Sequence, residues 1–123
     1  MITEDYVSFE VAKLLKEKGF NEECLMAYID GELFNYYDSD FPSEYELEND
    51  GSEVIDVPTL QMAMKWLREV HNIFIEIKFG LGGCYVWAIV DMSNNIVTNV
   101  DALMGFYEQA CESAIKYCLE HLI

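Results

Sequence analysis

Between residues 57 and 79 the hydrophobic period changes once, and that change constrains the possible folds more than any other feature. The stretch reads VPTLQMAMKWLREVHNIFIEIKF. Leu60, Ala63, Met64, Leu67 and Val70 recur at spacings of three and four, the pattern of a helix with one apolar face. After His71 and Asn72 the spacing drops to two. Ile73, Ile75, Ile77 and Phe79 alternate with Phe74, Glu76 and Lys78, as in a half-buried strand. Pro58 is expected in the first helical turn, where a missing N–H is tolerated and the fixed φ is already helical. Met62 and Trp66 widen the apolar arc to about 200°, beyond the stripe of an ordinary surface helix. Two explanations fit: packing between a sheet and a second helix, or an interface to a subunit or partner that uses Met62 and Trp66.

Around this unit the remaining elements fall into place. A first helix is expected over residues 8–18, with Ser8 as N-cap, or Thr3 ahead of Glu4 and Asp5 as an earlier start, and with Val7, Val11, Leu14 and Leu15 as its buried face. Gly19 then suits a left-handed stop, with Phe20 folding back onto Leu15. Asp30-Gly31 between two short β-rich runs, 24–29 and 32–37, signals a hairpin. Residues 38–56 hold eight acids, no base and the breakers Pro42, Asn49 and Gly51, so they are expected to form an exposed acidic loop, with a short strand near Tyr45 as an option. Gly80-Leu81-Gly82-Gly83 joins the central strand to a second one over 84–92. That loop opens a strand, whereas a phosphate-cradling glycine loop opens a helix. A turn at Ser93-Asn94-Asn95, a short strand at 96–100 and a last helix from 103 or 107 to 122 complete the chain. The order α-β-β-α-β-β-(β)-α defines one α+β domain over 1–123, its largely antiparallel sheet packed by helices.

Charge narrows the classes of partner. Formal net charge is −16, and from Lys18 to Lys65 there is no basic residue, while twelve of the 23 acids fall in that interval. Direct binding of a nucleic-acid backbone needs a basic patch, and none is visible. Attachment to an anionic membrane surface is disfavoured for the same reason. No apolar run approaches the length of a membrane span, and the acidic start MITEDYVSFE does not resemble a secretion signal. Asp38, Asp40, Glu44, Glu46, Glu48, Asp50, Glu53 and Asp56 are either a solvated surface or an acidic patch offered to a partner. Tyr36, Tyr37 and Tyr45 beside these acids are candidates to dress such a surface. Lys65 and Arg68, on the wet side of the central helix, are expected to receive the acidic stretch that precedes them.

Chemistry is sparse. Cys111 and Cys118 stand seven apart on the last helix, a rise of about 10.5 Å, too far for a disulfide. They read as buried thiols sharing a face with Tyr107, Ala114, Ile115 and Leu122; Cys24 and Cys84 fall in expected strands, and their pairing stays open. A Cys84–His71 dyad has no support in spacing, and Asp38-Ser39-Asp40 starts like a calcium loop but lacks its glycine and closing glutamate. No catalytic residue, cofactor or metal is expected.

Three segments carry a family likeness: TEDYVSFEVAKLLKEKGF at 3–20, PTLQMAMKWLRE at 58–69 and YEQACESAIKYCLEHLI at 107–123. They resemble a group of small uncharacterised proteins encoded by phages and mobile elements of gut anaerobic bacteria. The resemblance covers rather more than a third of the chain. It implies a phage or mobile-element origin and a cytoplasmic setting in the bacterial host. It implies no activity, so no functional residue is carried over. The expected function is that of a non-enzymatic accessory protein acting through protein–protein contacts, with a host or phage protein, a basic one among the options, or with its own copies. The alternative is an inhibitor that imitates nucleic-acid charge and occupies a basic groove of a host protein. An enzyme with an unrecognised site is the third class.

Overall fold

The computed structural model describes residues 1–123, with the side chains of all but Leu81, Asn99, Val100 and Asp101. Local signals set its first helix, α1 (Phe9–Glu17). The Ser8 hydroxyl accepts the Val11 N–H at 3.2 Å, satisfying one of the donors that a helix start leaves free. At the other end Gly19, at φ 94°, reverses the chain. The Phe20 N–H then reaches the Leu15 carbonyl at 2.9 Å, and the Gly19 N–H reaches that of Lys16 at 3.2 Å. This is the expected Schellman stop, and it buries Phe20 with Leu15.

The hairpin follows as β1 (Met26–Ile29) and β2 (Glu32–Asn35), joined through Asp30 and Gly31 at φ 52° and 82°. Positive φ at both central residues matches the right-handed twist of the flanking strands. Both strands are shorter than expected, and Cys24 lies outside β1. Residues 38–56 depart from expectation more strongly. They fold into a two-turn helix, α2 (Glu44–Asp50), and into most of a strand, β3 (Val54–Val57). Tyr45 is therefore helical, and the acidic loop is largely regular structure. β3 pairs antiparallel with β1, giving a small sheet of order β2-β1-β3.

The central unit is α3 (Leu60–His71) leading into β4 (Ile73–Phe79). Thr59 caps α3 by accepting the Met62 N–H at 3.0 Å. Pro58 precedes that cap and so lies outside the helix; its carbonyl accepts the Val7 N–H at 3.1 Å. Asn72, at φ 55°, makes the single left-handed step that converts helix to strand. β4 pairs with β5 (Tyr85–Asp91), and β5 with β6 (Ile96–Met104), in a second antiparallel sheet of order β4-β5-β6. β6 is longer than expected, and α4 (Tyr107–His121) closes the chain.

The α+β class and the antiparallel pairing hold, but there are two three-stranded sheets where one sheet was expected. α3 stands between β3 and β4 in the chain, and the two strands belong to different sheets. One core serves both sheets. Val11 and Leu15 of α1, Ile55 and Val57 of β3, Leu67 of α3, Ile75 and Ile89 of the larger sheet and Ile115 of α4 belong to a single buried cluster. The inner face of α4 is Ala110, Cys111, Ala114, Ile115, Cys118 and Leu119; Tyr107 and Leu122 stay largely exposed. Polar ties join the layers: Trp87 Nε1 donates to Ser113 Oγ at 3.2 Å, and Lys116 pairs with Glu10 at 3.0 Å.

Candidate acidic interaction surface

The acids of residues 38–56 are displayed by a helix whose ends are written locally. Ser43 Oγ accepts the Glu46 N–H at 3.2 Å, and Gly51, at φ 64°, terminates α2. Ser43-Glu44-Tyr45-Glu46 has the S-x-x-E form of a capping box, the signal that would have located this helix from sequence. No α2 residue is buried, and Glu44, Glu46, Glu48 and Asp50 are all exposed. Glu44 and Glu48, like Glu46 and Asp50, stand one turn apart, where like charges repel. The last turn carries no base to answer the negative helix terminus. Glu44 and Glu46 suit the positive start of α2, whereas Glu48 and Asp50 stand at its unanswered negative end, each one turn from another acid.

The other acids flank it. Asp38 and Asp40 are exposed in the turns before α2. Glu53 is paired at 3.0 Å by Lys16, whose ammonium also donates to the Val54 carbonyl. Ser52 Oγ donates to Asp30 Oδ2 at 3.0 Å, tying the hairpin turn to the end of α2. Lys65 and Arg68 do not take the expected role: among the described residues neither is within ion-pair distance of an acid, and the base that meets the acidic stretch comes from α1.

Asp56 differs from its neighbours. It is half-buried in β3 and accepts a hydrogen bond from the Tyr36 hydroxyl. Burial and that bond push the Tyr36 phenol above its ordinary range. Burial, with the charges of Asp56 and Glu22, pushes the Cys24 thiol up to about 11. Glu23, Cys24, Tyr36, Tyr37 and Asp56 line a shallow recess of about 280 Å³. At neutral pH this recess holds a protonated thiol and a protonated phenol, so Cys24 is a poor nucleophile there. No linear motif announces the trio, because strand register and the loop after β2 bring it together. Of the three tyrosines proposed for a surface, Tyr37 and Tyr45 are exposed, while Tyr36 turns inward against Phe41, ring centroids 4.6 Å apart.

Met62 and Trp66 part company. Met62 is 40% exposed, but Trp66 is 6% exposed and packs edge-on against Phe20 and His71 at 5.4 and 4.7 Å. Trp66 is a core residue, and the extra width of the helix face is explained by that packing. Val70, expected inside, is 56% exposed instead. Met62, Lys65, Glu69, Val70 and Glu22 leave a groove of about 260 Å³ beside the edge of Trp66.

The remaining candidates do not come together. His71 lies against Trp66, and the Cys84 thiol contacts the Gly82 carbonyl at 3.7 Å, so the two do not form a dyad. All four cysteines are free. Burial pushes the Cys118 thiol up to about 12 and raises that of Cys111. Among the described residues no three His, Cys, Asp or Glu side chains are arranged to hold a metal ion, and no helix is long and apolar enough to cross a membrane. Comparison with protein-family models, with curated proteins and with solved structures returned no match.

Proposed function

We propose that this chain is a small accessory protein that acts by protein–protein contact, offering the acidic surface around α2 to a positively charged partner protein in a bacterial cytoplasm. The observation that carries the reading is α2 itself. A seven-residue helix with no buried residue is marginal, and Glu48 and Asp50, each one turn from another acid and at an end with no base, disfavour it further. Cations supplied by a partner relieve that repulsion, so binding and helix order reinforce one another. Exposed Tyr37 and Tyr45 add aromatic contact area beside the charge. The phage or mobile-element origin rests on the three resembling segments and suits a protein whose partner is a host or phage product.

Imitation of nucleic-acid charge is the second reading, favoured by eight acids in residues 38–56 without a base among them. The two readings separate by competition. Capture from a bacterial lysate, repeated with a Glu44→Gln, Glu46→Gln, Glu48→Gln variant, is expected to retrieve basic proteins that the variant loses and that salt releases. If DNA displaces the same proteins, the second reading stands. Retention by the variant, at low and high salt alike, removes both.

A further inference from the structure

Three segments of the chain meet at one end of the smaller sheet. β1 is its middle strand, and Met26, where β1 begins, faces Asn35 at the end of β2 and Val57 at the end of β3. The residues just before β1 and just after β2 therefore come to the end of β3. Glu23 and Cys24, Tyr36 and Tyr37, and Asp56 line the recess of about 280 Å³ there. The Tyr36 N–H extends the β1–β2 ladder by donating to the Leu25 carbonyl at 3.0 Å. Asn35 Oδ1 accepts the Tyr37 N–H at 2.9 Å, so the backbone of both tyrosines is fixed.

This recess pairs negative charge with partial dehydration. Asp56 is half-buried and gives one oxygen to the Tyr36 hydroxyl. Among the described residues no base stands within ion-pair distance of Asp56 or Glu23. Lys16, which shares the adjoining recess with Asp56, is held by Glu53 and the Val54 carbonyl. The neighbouring thiol and phenol feel the same surroundings. Burial first, then the charges of Asp56 and Glu22, push Cys24 up, and burial with the Asp56 bond raises Tyr36. Charges act more strongly where water is few, so a cation gains from these carboxylates and a further anion loses. Pockets that enclose small molecules hold about 300–1,000 Å³. A shallow recess below that range suits one side chain.

We infer that this recess receives a single arginine side chain of the positively charged partner, its guanidinium pairing with Asp56 and lying against the exposed Tyr37 ring. A guanidinium is planar and weakly hydrated, and its forked donors match a carboxylate; an ammonium is compact and holds its water. Half-burial therefore costs arginine less than lysine, and a ring beside the carboxylate adds a surface on which the guanidinium stacks. The acids of α2 then steer the partner from a distance, while the recess sets where it lands. The inference rests on the acidic-surface reading for its partner, but the recess is tested without one.

Nα-acetyl-arginine amide, titrated into the isotope-labelled chain in about 0.15 M salt, is the probe. Nα-acetyl-citrulline amide, of the same shape without the charge, is the control. Backbone amide signals of residues 23, 24, 36, 37 and 56 should move saturably with arginine and stay still with citrulline. Asp56→Asn keeps the size of the side chain and an acceptor for the Tyr36 hydroxyl, so its spectrum should stay folded while binding weakens about tenfold. Tyr37→Ala, at an exposed position, should weaken binding about threefold. The Glu44→Gln, Glu46→Gln, Glu48→Gln variant should change it less than about twofold. Unmoved recess signals overturn the inference, as do equal shifts with citrulline or with Nα-acetyl-lysine amide. A folded Asp56→Asn that binds like the parent overturns it too. If that α2 variant loses the lysate partners while the recess ignores arginine, the acidic-surface reading stands and this inference alone falls. Partners kept by the variant, with a recess that still takes arginine, remove that reading and leave the recess.

Discussion

α2 and α3 begin and end in the same way and owe their existence to different forces. Each starts at a hydroxyl cap, Ser43 or Thr59, that accepts the N–H three residues on. Each is followed by a residue in the left-handed region, Gly51 or Asn72. Yet α3 buries Leu60, Ala63, Met64, Trp66 and Leu67, while α2 buries nothing. Caps contribute about 1 kcal/mol each, and a helix shorter than about twelve residues is marginal on its own. Burial of one large side chain contributes about 1.5–3 kcal/mol. α3 is thus a load-carrying part of the core, and α2 is a display element held by its ends. The lesson is that equal punctuation does not mean equal stability, and that the weaker helix is where charge can be spent on recognition.

The widest contrast should appear on truncating one leucine in each helix. Leu67→Ala, in the core, is expected to lower unfolding free energy by about 2–5 kcal/mol, and Leu47→Ala on α2 by less than about 1 kcal/mol, both read by urea denaturation. Comparable losses would mean that α2 is part of the cooperative core.

Alkaline pH probes the core side through Cys118. The Cys118 thiol has a folded-state pKa of about 12 against an ordinary 9.0, so its contribution is intact below about pH 9 and lost as pH rises toward 12. Thermal midpoints should fall between pH 8 and pH 10.5, and Cys118→Ala should flatten part of that slope. An unchanged slope would show that Cys118 is not shielded as its burial implies.

Removing the caps sharpens the comparison. Thr59→Ala is expected to cost about 1 kcal/mol of global stability. Ser43→Ala should leave global stability nearly unchanged and speed hydrogen exchange in residues 46–50, because α2 can fray without the core opening. The smallest effect is electrostatic. Glu48→Gln with Asp50→Asn should stabilise the chain by a few tenths of a kcal/mol at low ionic strength. The gain should vanish in about 0.5 M salt; a gain that persists would point to packing instead.

Much of the frame was legible beforehand. Ser8, Gly19 and Phe20 marked both ends of α1 because caps depend on residues a few positions apart. Asp30-Gly31 marked the hairpin for the same reason. The break from period 3.6 to period 2 fell at Asn72, where the structure turns. The candidate surface was legible as composition and not as form. Breakers and charge in residues 38–56 suggest an exposed loop, and the Ser43–Glu46 capping box is the local signal that marks a helix there instead.

The amino-acid sequence by itself determined both ends of α1, the turn of the first hairpin and the break from helix to strand at Asn72, since these depend on dihedral preferences and on neighbours within one or two turns. Tertiary structure decided that Trp66 turns inward and Val70 outward, because Phe20 and His71 offer the indole a packed site that no helical wheel contains. It also decided that the strands divide into two sheets, that Lys16 rather than Lys65 or Arg68 meets Glu53, and that Cys24, Tyr36 and Asp56 share one recess. Those outcomes depend on distances between residues far apart in the chain, which only the folded arrangement sets.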